Sequence, residues 1–225
     1  MPESYKVAIV AALEREVWPL VKDWRRTRKQ HQGRAFKFFE HQNAVLVCGG
    51  IGAEAARRAA EAIITLYTPA LVISAGFAGG LDPALRTGQA LTPRMVIDAG
   101  DGSRTESGTG KGVLVSFGAV ADSGQKANLA RAYGADVVDM EAAAVSRCAQ
   151  AHGTRFMACK VVSDSRDQRL PPVARFVAAD GSFQQVRFLA HVAMRPWLWA
   201  GMGQLARNSA IAAQSLCERL AASTQ

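Results

Sequence analysis

The sequence predicts an α/β fold: a single domain over residues 1–225 whose mixed central β-sheet is flanked by helices on both faces. Three observations carry this. Apolar runs of strand length alternate with segments of helical spacing. The runs are apolar throughout rather than alternating with polar residues, as in strands covered on both faces. Several of them end in glycine or in a carboxylate, at the sheet edge where open α/β folds place their ligands.

Residues 5–11 form the first apolar run. Residues 14–24 have helical spacing, with Val17, Leu20, Val21 and Trp24 on one face. The basic stretch 22–34 reads as a helix end and a solvated loop. Residues 44–48 are a second strand, ended by Gly49-Gly50. Residues 53–67 are an alanine-rich helix that Pro69 closes. Residues 70–75 are a strand ended by Gly76. The polar, glycine-rich stretch 98–112 is a loop or hairpin. Then come a strand (113–117), a helix (126–132), a short strand (135–138), a helix (140–152) and a strand (156–162). Residues 164–185 hold Pro171-Pro172 and Gly181 and form an irregular excursion. Residues 197–220 read as a closing helix, with Leu198, Met202, Leu205, Ala213, Leu216 and Leu220 along one side.

Composition sets the outer bounds. Hydrophobic residues are 49% of the chain and charged residues 20%, enough apolar surface for a sizeable core. The net charge of +8 raises the question of nucleic acid or an anionic membrane. The basic residues are spread along the chain, so neither partner is expected beyond a peripheral membrane contact. No run reaches the ~18 apolar residues of a membrane span, and no signal-peptide pattern opens the chain. The cysteines Cys48, Cys148, Cys159 and Cys217 stand far apart in apolar contexts, without C-x-x-C or zinc-finger spacing. Free thiols in a reducing cytoplasm and no metal are expected.

Several motifs bear on chemistry. Gly50-Ile51-Gly52-Ala53-Glu54-Ala55 fits a dinucleotide fingerprint, but no acidic residue follows the next strand to hold a ribose. A tight strand-to-helix turn approached by a small polar group explains it as well. Gly110-Lys111 lacks the earlier glycine and the magnesium-binding hydroxyl of a phosphate loop. Ser74-Ala75-Gly76-Phe77-Ala78-Gly79-Gly80 gives a ligand access to the backbone, or is a glycine-rich turn for close packing. Glu16, Glu141 and Asp164 each follow an apolar strand. Singly they read as helix-dipole partners or caps. Together they occupy one sheet edge.

Four blocks make a resemblance. They are Ala11-Ala12-Leu13-Glu14-Arg15-Glu16-Val17, residues 74–80, Val138-Asp139-Met140-Glu141-Ala142, and Val162-Ser163-Asp164. In this order the chain resembles the purine nucleoside phosphorylase and nucleosidase superfamily, and is similar to its methylthioadenosine/S-adenosylhomocysteine nucleosidases and hopanoid-associated phosphorylases. The resemblance implies cleavage of the N-glycosidic bond of a purine nucleoside, adenine by expectation, with a 5′-substituent. Asp164 would protonate N7 of the base, and the site would keep that acid protonated by burial or a hydrogen bond. Glu141 would hold the ribose hydroxyls and stabilise the cationic sugar. Met140 would pack on the ribose. Glu16 would orient the water. Ser74, Ala75, Gly76 and Ser163 would line the ribose and base pocket. No cofactor is implied, with phosphate as an optional co-substrate, and a cytoplasmic homodimer is expected. Alternatives are a non-catalytic nucleoside-binding protein, a phosphorylase of adenosylhopane-like lipid nucleosides, and a nicotinamide-dependent oxidoreductase.

The chain departs from the family at three places. The segment 98–112 is short. Gly118, Ala119 and Val120, one step after Phe117, stand where the nucleosidases stack an aromatic on the base. Val72-Ile73-Ser74 carries no phosphate-binding arginine, which favours water and leaves Arg25, Arg26 or Arg34 to supply charge from another direction. Gln168-Arg169-Leu170-Pro171-Pro172 and Arg195-Pro196-Trp197-Leu198-Trp199 look more like the hopanoid-associated branch. The tryptophans there read as facing an apolar substrate or membrane surface, or as helix packing or a subunit contact.

Overall fold

A computed structural model of the chain describes residues 5–168 and 199–224 and, between them, Phe176, Ala178, Gly181 and Gln184. The described residues form an eleven-stranded mixed sheet with helices on both faces. Its middle is parallel. Strand β1 (Val7–Ala11) lies between β4 (Ala44–Cys48) and β5 (Leu71–Gly80), and β5 pairs in parallel with β11 (Arg155–Asp164). Strand β10 (Val137–Asp139) meets the far end of β5 antiparallel, at Val137↔Gly80 and Val138↔Gly79. It continues in parallel to β9 (Val113–Ser116) and β7 (Met95–Asp98). Two short strands, β6 (Ala90–Leu91) and β8 (Arg104–Glu106), pair antiparallel with β11 and β7.

The core is layered as the apolar runs require. On one face, α2 (Ala53–Tyr67) and α4 (Ala142–Ala151) cover Ala8, Val10, Val45, Val72 and Val162, and their alanines allow close approach to the strands. On the other face, α1 (Glu14–Val21) and the closing helix α5 (Trp199–Thr224) cover Ile9, Leu46, Ile73 and Val161 with Val17, Val21, Leu216 and Leu220. A smaller cluster gathers Leu129 of α3 (Ser123–Tyr133) with Ile97, Val115 and Val138. Helix α3 starts on a capping box in which Asp122 accepts from the Gln125 amide at 2.8 Å.

Three expectations change. The basic stretch 22–34 is not a helix end and loop. It supplies β2 (Arg25–His31), which forms a hairpin with β3 (Arg34–His41) at the sheet edge. Gln32 (φ 47°) and Gly33 (φ 75°) make its two-residue turn. Charge along β2 faces water, while Phe36, Phe38 and Phe39 of β3 are buried. Secondly, residues 74–80 are the second half of a ten-residue strand rather than a turn. Their backbone is paired with β11 through Val162↔Ala78 and Asp164↔Gly79, so no anion-binding nest forms there. Thirdly, Glu141 stands at the N-cap of α4 rather than inside its first turn. The Arg169–Pro172 residues, Arg195 to Leu198 and the Trp199 side chain lie outside the described residues, so the tryptophan reading is not tested.

Candidate active site

Strand β5 carries three of its seven last residues as glycine, and the reason is local crowding. A Cβ on Gly76 would lie 3.3 Å from Glu16 Oε2 and 3.8 Å from Lys160 Nζ. A Cβ on Gly79 would lie 3.0 Å from Lys126 Cε and 3.3 Å from Asp164 Oδ2. The missing side chains therefore make room for two lysine–carboxylate groups, one on each side of the strand's end. The second half of β5 is a floor on which charged residues from other elements converge.

Asp164 ends β11 and is 6% exposed. The Ser163 hydroxyl donates to its Oδ1 at 2.7 Å. Its Oδ2 accepts from Lys126 Nζ, an ammonium only 2% exposed, which also donates to the Ser165 carbonyl at 2.8 Å. Lys126 comes from the first turns of α3, where an apolar-pattern reading records only a helical lysine. The structure thus adds a buried cation to the group expected to act as acid.

Glu141 is held by two amides. Gly52 N–H donates to its Oε1 at 2.8 Å and Met140 N–H to its Oε2 at 3.2 Å. Gly52 is the N-cap of α2, so the partial positive charge of that helix end faces the carboxylate. The Gly50-Ile51-Gly52 turn is therefore approached by a small polar group, and that group belongs to the protein. Burial, together with the nearby Asp139 carboxylate, raises the Glu141 pKa to about 7, against the pull of Lys160 and the Gly52 amide.

Glu16 lies in α1, 6% exposed, with the Leu13 amide donating to Oε2 at 3.4 Å. Burial raises its pKa, partly offset by that amide and by Lys160. Lys160 is 1% exposed and fixes the centre of the arrangement. Its ammonium lies 2.9 Å from Asp139 Oδ2 and donates to Ser74 Oγ at 3.1 Å. Burial lowers its pKa, but Asp139, Glu141 and Glu16 together raise it above the usual lysine value. Asp139 is otherwise saturated: Ser116 Oγ donates to Oδ1 at 2.6 Å and the Ala142 amide to Oδ2 at 2.9 Å. Lys160 and Asp139 form a supporting pair beside the two glutamates, with Asp139 reaching the cavity wall and Lys160 behind it. Both were missed in the sequence because each sits inside an apolar strand, where a lone charge has no periodic signature.

These groups open onto one cavity of about 450 Å³. Glu16, Glu141, Asp164, Met140, Ser163, Ala75 and Gly76 all line it. Ser74 does not line it but stands behind the wall on Lys160. Lys126 and Arg15 are its basic lining residues among those described. Where a stacking aromatic is expected, Ala119, Val120 and Ala121 contribute aliphatic surface, and Phe77 is the aromatic in the described wall. Leu13, Ile51, Met202 and Leu205 make the rest of the rim apolar. None of the three hairpin arginines reaches the cavity: Arg25 pairs with Glu40 at 2.5 Å, Arg26 lies 5.3 Å over the Trp18 ring and Arg34 5.9 Å over the Phe36 ring.

Chemically, the cavity presents a carboxyl backed by an ammonium, a carboxylate held at a helix end and a third buried carboxylate. That set can relay a proton from the ammonium through its paired carboxylate, stabilise positive charge and orient a polar nucleophile in one space.

A family model described as the phosphorylase superfamily matches residues 6–124 and 112–187. No curated protein matches the chain. Among solved structures, the chain is similar to futalosine hydrolase of Helicobacter pylori (17% identity, TM-score 0.67, covering 95% of this chain and 96% of that one). It is also similar to a mutant H. pylori 5′-methylthioadenosine/S-adenosylhomocysteine nucleosidase with 5′-methylthioadenosine in its active site (16% identity, TM-score 0.69, 96% and 98%). A third is the Neisseria meningitidis nucleosidase of the same kind bound to methylthio-immucillin-A (21% identity, TM-score 0.68, 95% and 97%). At these identities the likeness is one of fold.

Proposed function

The chain belongs to the phosphorylase superfamily, and from that premise we propose that it hydrolyses the N-glycosidic bond of an adenine nucleoside bearing a 5′-substituent. The observation that carries this reading is the meeting of Asp164, Glu141 and Glu16, from three different strand ends, in one cavity.

In this reading the bond from C1′ to N9 breaks and its electron pair leaves with the purine. Asp164, ion-paired with Lys126, carries no proton of its own, so one passes from Lys126 Nζ to its carboxylate and on to N7, leaving the lysine neutral until solvent reprotonates it. The sugar becomes cationic, and Glu141, ionised, stabilises it and accepts from the ribose hydroxyls. Water adds to C1′ and gives its proton to Glu16, which balances the proton delivered to the base. Lys160 holds Ser74 and partly offsets the effect of burial on both glutamates. Met140 and Phe77 supply apolar contact to the sugar and base. The apolar rim from Leu13, Ile51, Met202 and Leu205 supports an apolar 5′-substituent.

Phosphorolysis is a second reading, favoured by Arg15 at the cavity wall. A panel of adenosine, methylthioadenosine, S-adenosylhomocysteine, futalosine and a 5′-alkyl adenosine, with and without phosphate, tests both. The expected outcome is free purine from a 5′-substituted member at a rate indifferent to phosphate. Dependence on phosphate would select phosphorolysis, and no purine from any substrate in either buffer would end the proposal.

A further inference from the structure

A second cluster of chemistry-bearing side chains lies away from the cavity, where α2 packs on α4. Cys148 and His152 are four residues apart and so project from one side of α4 and its C-cap. Glu61 faces them from α2. Its Oε2 lies 3.4 Å from Cys148 Sγ and its Oε1 3.1 Å from His152 Nε2, and the three ligand atoms all fall within 4.8 Å of one another. Zinc–ligand bonds of about 2.0–2.3 Å at tetrahedral angles place S, N and O atoms about 3.4–3.6 Å apart. The two measured separations are close to that, each to a different Glu61 oxygen, so one ion would take both oxygens together or one after a small turn of the carboxylate.

We propose that Glu61, Cys148 and His152 form a binding site for a zinc-class divalent cation. The donor set of one thiolate, one imidazole and one carboxylate is a zinc set, too soft for magnesium or calcium. The site is reachable, since His152 and Glu61 keep 32% and 26% of their side chains exposed, which leaves an open coordination position for water. A second observation points the same way. The buried Nε2 atom of His31 has no hydrogen-bond partner, and His31 is near enough to Glu61 to act on it electrostatically. A buried imidazole nitrogen left unpaired in the neighbourhood of Glu61 is a group without a native partner.

In the metal-free protein the Cys148 thiol donates to Glu61. On binding, the cation takes the sulfur as thiolate and the displaced proton leaves to solvent. Glu61 is nine residues along α2 from Gly52, or about 14 Å at 1.5 Å per residue. The cation would thus tie together the two helices whose other ends hold Glu141, at a distance from the chemistry. Short-motif spacing misses the site because Glu61 is 87 residues from Cys148.

Cobalt titration of the metal-free full-length protein tests this directly. The expected result is one equivalent of Co²⁺ bound, with a thiolate-to-cobalt charge-transfer band, strong visible bands of a tetrahedral ion, and displacement by Zn²⁺. Cys148→Ser should abolish the charge-transfer band. His152→Ala, a change at a solvent-facing ring that the fold tolerates, should weaken binding by about 100-fold or more. Absence of the band in the unaltered protein overturns the proposal. So does a band that persists in Cys148→Ser, which would assign the metal to another thiol.

Discussion

Asp164 and Glu141 are both carboxyl groups with different neighbours, and the proposed reaction gives them opposite tasks. Asp164 is met by an ammonium and a hydroxyl, so in the proposed reaction it relays a proton from Lys126 to the base. Replacing it with Asn removes the proton path while keeping a hydrogen-bonding side chain. Turnover should fall by roughly 10²–10⁴ with inhibitor binding retained, measured by purine release and titration calorimetry on protein verified as folded. In the proposed reaction Glu141 is ionised to stabilise the sugar cation, and burial raises its pKa to about 7. The plot of kcat/KM against pH should therefore fall on the acid side of about pH 7, and Glu141→Gln should lose that limb along with most activity. The same group links pH to stability. Its folded value lies above the ordinary carboxyl value, so between the two the folded chain holds a proton that the unfolded chain has lost. The stability this contributes is present at low pH and lost as pH rises through about 7. It amounts to on the order of 3 kcal/mol at most, and chemical denaturation at pH 5 and pH 8 measures it. The carboxylates at strand ends were legible in the sequence because each follows an apolar run. Lys126 and Lys160 were not, because a lysine's default reading is solvent and nothing local announces that its charge is matched from 38 or 21 residues away.

At the scale of elements, β5 explains why a glycine-rich segment can be a strand. Glycine weakens strands by losing side-chain packing, and the run from Gly76 to Gly80 therefore looks like a turn. Pairing along its length with β11 holds it straight, and the absent side chains are replaced by Glu16, Lys126 and Asp164 from other elements. Gly79→Ala should push Lys126 Cε from its 3.0 Å approach and Val138 Cγ1 from 3.2 Å. Overpacking of this kind costs roughly 1–3 kcal/mol, and displacement of the proton donor should reduce kcat at least about tenfold, since one tenth of the rate is only about 1.4 kcal/mol. A thermal melt and initial rates on the same sample check both. The β2–β3 hairpin was hidden for a different reason. Its basic strand carries no apolar alternation, and its signal was the Gln32-Gly33 turn followed by the buried phenylalanines of β3. The strands β1, β4, β9 and β11 and the helices α2 and α4 were legible because full burial writes apolar runs and helical stripes into the sequence.

For the whole molecule, the site exists because the topology reverses around β5. Strand β1 and β11 run parallel to it, β10 meets its end antiparallel, and the carboxyl ends of β1, β10 and β11 come together over its last residues. Residues 16, 141 and 164, remote in the chain, share one cavity for that reason. Helix α5 closes the cavity from the far end of the sequence with Met202 and Leu205 and anchors itself in the core through Leu216 and Leu220, both 0% exposed. Among the described residues no helix is long and apolar enough to cross a membrane. In the proposed reaction water adds to C1′ in this cavity as the bond to the purine breaks. Turnover of a 5′-substituted adenine nucleoside in ¹⁸O-labelled, phosphate-free water tests it most directly, with mass spectrometry of both products. The prediction is one labelled oxygen in the released sugar and none in the base, and no labelled sugar, or sugar released only as its 1-phosphate once phosphate is added, would contradict it.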